Sequence, residues 1–222
     1  MIRDPRGEVV AATAAVAVFL ALGEALAALG PWPAQLGGVL VALGFVGVPL
    51  AIARQRQLSG DVLAVDPPLL RSAAWGALVA LVVLPIYALG FDAWQVHVLH
   101  RVRQAPGTLD ASAWLEAAVV QLGAVALPEE LFFRGYVLGR LRTRWPGGLH
   151  VLGARVGRAH AGAAALFAAV HLVAVPAPFR LLVFFPGLLF GWVAERSGSA
   201  IAAAVLHALC NLTLQALLAC YR

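Results

Sequence analysis

VVAATAAVAVFLALGEALAAL, residues 9–29, places a single ionisable side chain, Glu24, in a run of 21 residues. The hydrocarbon core of a bilayer, about 30 Å thick, is crossed by about 20 helical residues. Six further runs of that kind follow, at roughly 36–53, 69–90, 112–138, 160–176, 179–195 and 200–219. Between them stand Gly30-Pro31-Trp32-Pro33, Asp66-Pro67-Pro68, Pro146-Gly147-Gly148 and Pro176-Ala177-Pro178. Proline lacks a backbone donor and its ring crowds the preceding turn, so such clusters end helices. The pattern predicts an all-α, polytopic membrane bundle of about seven transmembrane helices in a single integral-membrane domain, 1–222. The first run is too long for the apolar region of a cleaved signal and reads as a span.

Composition agrees. Hydrophobic residues make up 62% of the 222 residues, charged residues only 12%, and the mean hydropathy is +0.87. Such a chain cannot cover a soluble core with polar surface, nor remain disordered. All 16 basic residues are arginine, a usage typical of GC-rich bacterial coding, which places the expected home in a bacterial inner membrane. A net charge of +5 can mark a nucleic-acid binder, but in a membrane chain surplus arginine marks cytoplasmic loops. The lipid bilayer, and no nucleic acid, is therefore the expected partner. With the N-terminus inside, eleven arginines fall in cytoplasmic segments: Arg3, Arg6, Arg54, Arg56, Arg71, five from Arg140 to Arg158, and Arg196. Four, Arg101, Arg103, Arg180 and Arg222, fall outside, which favours N-inside. Cys210 and Cys220 lack any metal-type spacing and read as buried free thiols. Segment 91–111 reads as an interfacial loop or short amphipathic helix with Trp94 at headgroup level.

Ionisable groups inside a span are costly and face partners or cavities. Glu24 and Glu116 lie near span ends, within reach of the interface, and Gln121 suits a bond between helices. Pro128-Glu129-Glu130-Leu131-Phe132-Phe133-Arg134 differs, with two acids and a cation in an apolar segment. Glu130 and Arg134 are spaced i, i+4 with the acid first, the favourable order for a helical ion pair. Glu129 points about 100° away, on the face of Phe133, with no local partner. Pro128 disfavours helix at Leu127 and predicts a kink there. An unpartnered carboxyl in a low-dielectric site is suited to exchanging a proton near neutral pH. Phe167 and His171 share one face of the fifth span; His207 and Asn211 share one face of the seventh. Counted from the flanking Arg140, His160 and Ser199, the acid and both histidines lie roughly 12–17 Å from one membrane face. Three spans thus carry polar groups to one level.

These residues resemble the CPBP family of intramembrane glutamic endopeptidases, which includes CAAX prenyl proteases and bacteriocin-processing proteins. Its first motif, two Glu then Arg four residues on, matches Glu129, Glu130 and Arg134; Phe-x-x-x-His matches Phe167 to His171; His-x-x-x-Asn matches His207 to Asn211. The stretch Phe185-Pro186-Gly187-Leu188-Leu189-Phe190-Gly191 is similar to the family's approach to the third motif. The resemblance covers a catalytic core at about 112–215, with three additional N-terminal spans at about 9–90. It implies that Glu129 activates water with His171, that His207 and Asn211 form an oxyanion site, and that Glu130, Arg134 and Phe167 support them. It implies no metal and no cofactor, and a substrate that is a membrane-embedded or membrane-delivered polypeptide, with trimming of C-terminal anchors as one form. The residues alone leave two alternatives. Glu129, His171 and His207 could form a three-ligand zinc site, although no His-Glu-x-x-His is present. A proton-coupled transporter, bacteriocin immunity factor or scaffold would also hold mid-membrane acids and histidines.

Overall fold

The computed structural model describes residues 4–58, 60–65, 68–105 and 110–221. Arg3, Arg222 and the Asp66-Pro67 part of one predicted break lie outside them.

Seven helical rods traverse the molecule in alternating directions. Helix α1 (Pro5–Ala27) starts where the Asp4 side chain accepts from the Arg6 N–H, with Pro5 at the first helical position. Gly30, at φ 131°, turns the chain directly into α2 (Pro31–Arg56). α1 and α2 lie close along one another because Gly23 and Gly37 meet at their crossing. A Cβ on Gly37 would stand 2.8 Å from the Gly23 carbonyl oxygen. α3 (Leu69–Ala93) ends in a wide π-type turn, Trp94–Val98. α4 (Ala111–Arg144) is a continuous 34-residue helix. A hairpin of β1 (Leu149–Val151) and β2 (Ala154–Val156) follows, then α5 (Arg158–Ala174). A 3₁₀ turn, Pro178–Val183, leads into α6 (Phe184–Ser197), and α7 (Ala200–Leu218) completes the bundle.

All seven predicted spans correspond to helices, and among the described residues six helices are long and apolar enough to cross a membrane. α5 has 17 residues, about 25 Å at the α-helical rise. The bundle is all-α apart from the hairpin, which the sequence reading placed in a loop. Its turn sets Leu152 and Gly153 at positive φ, the conformation that matches strand twist in a two-residue turn. α4 runs six residues past its expected end, because Leu138–Arg144 continues the helix as far as Trp145.

Side-chain contacts identify the two ends of the bundle. At one end Glu8 pairs with Arg140, Arg142 with Glu195, the Ala200 N–H reaches the Ala64 carbonyl, and Trp192 donates to Val151 of the hairpin. At the other, Arg103 holds Asp92 at 2.7 Å, the Tyr221 hydroxyl donates to Asp92 at 2.5 Å, and the Gln104 N–H bonds the Cys220 carbonyl. Of the segment 91–111, residues 91–105 are therefore a helix end and a strap tied to the C-terminal residues, while 106–109 lie outside the described residues. The Asp92 carboxylate raises the Tyr221 phenol above its ordinary pKa by accepting a hydrogen bond from it. Cys210 and Cys220 are free and half-buried.

The core lies in the half toward the hairpin end. Phe132, Phe133, Tyr136 and Val137 of α4 pack with Phe45 of α2, Phe167 of α5, Phe190 of α6 and Leu206 of α7. Gly135 is required there, because a Cβ would overlap the backbone of Leu63 in the α2–α3 connection.

Candidate active site

The level that the sequence arithmetic assigned to Glu129, His171 and His207 is occupied by one cavity of about 800 Å³. Glu129, His171, His207 and Asn211 all line it. Gln121 lines it too and accepts a hydrogen bond from the Asn211 amide at 2.9 Å, which is the interhelical bond expected of Gln121. A second hollow, about 500 Å³ beside the hairpin, is lined by Arg144, Trp145, Arg158 and neighbouring backbone and contains neither acid nor histidine.

α4 presents its acids through an irregular backbone. Wide π turns, Gln121–Ala126 and Leu131–Val137, flank the short α-helical piece Leu127–Glu130. Leu127 is helical at φ −62° and ψ −53°, so Pro128 does not exclude helix there as the sequence reading expected. A proline ring clashes with the carbonyl four residues back, and a wider turn moves that carbonyl away. Such turns recur at functional sites because they re-aim side chains within an unbroken helix.

The adjacent acids diverge. Glu130 is fully buried, with Oε2 2.9 Å from Arg134 Nε and Oε1 2.9 Å from His207 Nδ1. The ion pair with Arg134 is the expected one; the bond to His207, 77 residues distant, had no sequence signal. Arg134 is held further by the Gly187 carbonyl at 3.2 Å and lies over the Phe167 ring at 4.5 Å, which gives Phe167 its supporting place. Glu129 is half-buried, and its Oε2 is shielded from solvent with no hydrogen-bond partner. Glu129 lines the cavity, and among the described residues no ion pair holds its carboxylate.

The imidazoles are oriented by their Nδ1 atoms. His171 Nδ1 lies 2.8 Å from the Phe167 carbonyl, and a carbonyl only accepts, so Nδ1 carries the proton and Nε2 a lone pair in the neutral ring. Glu130 orders His207 in the same way, and the ring stacks on Phe190 at 4.8 Å. Among the described residues, neither histidine has a hydrogen-bond partner at Nε2.

Charge is sparse elsewhere in the lining. Glu24 of α1 and Arg180 of the 3₁₀ turn are the only other formally charged side chains among the described lining residues. Arg180 Nε is shielded from solvent and unpartnered. Sequence reading placed Glu24 at an interface and assigned Arg180 only to an outer loop; neither has a local pattern that would join it to the site. Glu116 is exposed. Among the described residues no three His, Cys, Asp or Glu side chains converge in a metal-binding group, as the zinc alternative requires.

Residues 111–213, a little under half of the chain, match the family model described as type II CAAX prenyl endopeptidase Rce1-like. The segment is similar to that family, and the match agrees with the resemblance that the three motifs carry. It carries Glu129, Glu130, Arg134, Phe167, His171, His207 and Asn211. No curated protein and no solved structure matches the chain.

Proposed function

With an Rce1-like segment supplying the acid, both histidines and the asparagine of one cavity, we propose that the chain is an intramembrane endopeptidase that uses Glu129 to activate water. The observation that carries this reading is the buried, unpartnered Oε2 of Glu129 in a cavity shared with His171, His207 and Asn211. Glu130 lies next to it in sequence but has both oxygens engaged, so it cannot do the same work.

The Glu129 carboxylate takes a proton from water while His171 Nε2, an acceptor in the tautomer fixed by Phe167, holds the water by its other hydrogen. The hydroxide adds to a peptide carbonyl. The oxyanion that forms lies against Asn211, whose amide has a second hydrogen beyond the one given to Gln121, and against His207. Donation from His207 requires a proton on Nε2, and the Glu130 carboxylate, bonded at Nδ1, fixes the direction in which that nitrogen points. Glu129 then returns its proton to the departing amine, and the C–N bond breaks. Glu130 and Arg134 fix the His207 ring and the α4 backbone. The largely apolar lining suits an apolar segment of a membrane-associated polypeptide.

The test compares membrane fractions of cells carrying the wild-type chain with those carrying Glu129→Gln, reading out polypeptide C-termini. Products present only with the wild type support an endopeptidase. Identical termini in both, with the variant folded in the membrane, would remove the reading.

A further inference from the structure

The catalytic cavity reaches only one end of the bundle. Its lining begins at mid-helix with Phe45, Phe133 and Phe190 and runs out to Ala27 at the end of α1, Ala34 at the start of α2, Ala174 at the end of α5, and Arg180. These outermost residues flank the α1–α2 and α5–α6 connections, at the end where Asp92, Arg103 and Tyr221 are joined. Toward the hairpin end the cavity is closed. Below Phe133, Tyr136, Val137, Leu138 and Leu141 are at most 4% exposed, and Gly135 lies against the Leu63 backbone. No described residue of the α2–α3 connection, the hairpin or the α6–α7 connection lines the cavity.

The closed end carries the positive charge. Among the described residues outside the helix interiors it holds Arg6, Arg54, Arg56, Arg71, Arg140, Arg142, Arg144, Arg155, Arg158 and Arg196. The open end holds Arg101, Arg103 and Arg180. Arginine in short loops is retained on the cytoplasmic side. A cavity floored by the arginine-rich end and open at the arginine-poor end therefore faces away from the cytoplasm.

We infer that the site is reached from the non-cytoplasmic face, and that its substrates are exported polypeptides cut after translocation, near the point where an apolar segment meets that face. This substrate class rests on the endopeptidase reading above; the sidedness does not. Reaction and access occupy the same half of the molecule, so no passage through the packed core is needed.

The experiment uses the full chain in a bacterial inner membrane, with Cys210→Ala and Cys220→Ser removing the native thiols. Ala28→Cys places a thiol beside the cavity mouth, and Gly147→Cys places one at the hairpin end, where both positions are exposed. Each is treated with a membrane-impermeant maleimide in spheroplasts and in inside-out vesicles. The expected result is at least about tenfold more labelling of Ala28→Cys in spheroplasts than in inside-out vesicles, with Gly147→Cys reversed, as a single orientation set by arginine requires. The opposite pattern, or equal labelling of both positions from both sides, overturns the inference. The C-termini that depend on Glu129 supply the second readout. Cut sites in exported segments support the substrate class, and cut sites in cytoplasmic segments overturn it. If Glu129→Gln changes no C-terminus, the endopeptidase reading and the substrate class fall together, while labelling still decides the sidedness.

Discussion

Toward the hairpin end, α4 is sealed: Tyr136, Val137, Leu138 and Leu141 are buried among α1, α5, α6 and α7. Toward the opposite end the same helix turns Gln121, Val125 and Glu129 into a cavity of about 800 Å³. The boundary between the two regions runs between adjacent residues. Glu130 belongs to the packed half, with each oxygen engaged, and Glu129 belongs to the open half, with an oxygen left for chemistry. One helix thus separates a carboxylate held by its neighbours from the one proposed to react, and it does so with a rotation of about 100°.

Breaking the packed half should give the largest effect on folding. Glu130→Ala leaves Arg134 buried and uncompensated and is expected to cost about 3–5 kcal/mol, read as a lowered unfolding midpoint in detergent. Glu130→Leu with Arg134→Met removes both charges and should cost less than either single change. If the double variant is the least stable, the pair is not the structural unit of that half. On the open side, Asn211→Ala removes the proposed donor to the oxyanion and should lower cleavage about 10²–10³-fold with little change in unfolding. An equal loss in both readouts would move Asn211 from the reactive region to the structural one, through its bond to Gln121.

Smaller effects refine the boundary. Gly135→Val drives a side chain into the Leu63 backbone, and overpacking of that kind costs about 1–3 kcal/mol; Gly123→Val, on the open half with free space around it, should cost less. Tyr221→Phe removes a single hydrogen bond to Asp92 at the cavity end and should cost no more than about 0.5–1.5 kcal/mol. Arg103 keeps Asp92 paired in that variant, so cleavage should persist.

The sequence made this division partly legible. Helices in lipid need long apolar runs, so seven segments could be read with bounds within about six residues. The i, i+4 pairs Glu130–Arg134, Phe167–His171 and His207–Asn211 could be read because helical spacing places them on one face. The Glu130–His207 bond could not, since it depends on how α7 rotates against α4. Neither could the two π turns that flank Leu127–Glu130, of which the first lies where the Pro128 ring must be accommodated. Arg180 and Glu24 join the cavity only because α1 and the α5–α6 connection end at one level. The hairpin was hidden by its shortness, three residues a strand, amid glycine and arginine.

The most direct measurement of the division between the two acids is a paired one on Glu129→Gln: the C-termini of polypeptides in its membranes, and its own unfolding midpoint in detergent. A reactive carboxylate with no structural partner gives cleavage lower by about 10²–10⁴-fold at an unchanged midpoint. Retained cleavage, or a midpoint that falls as far as that of Glu130→Ala, would contradict it.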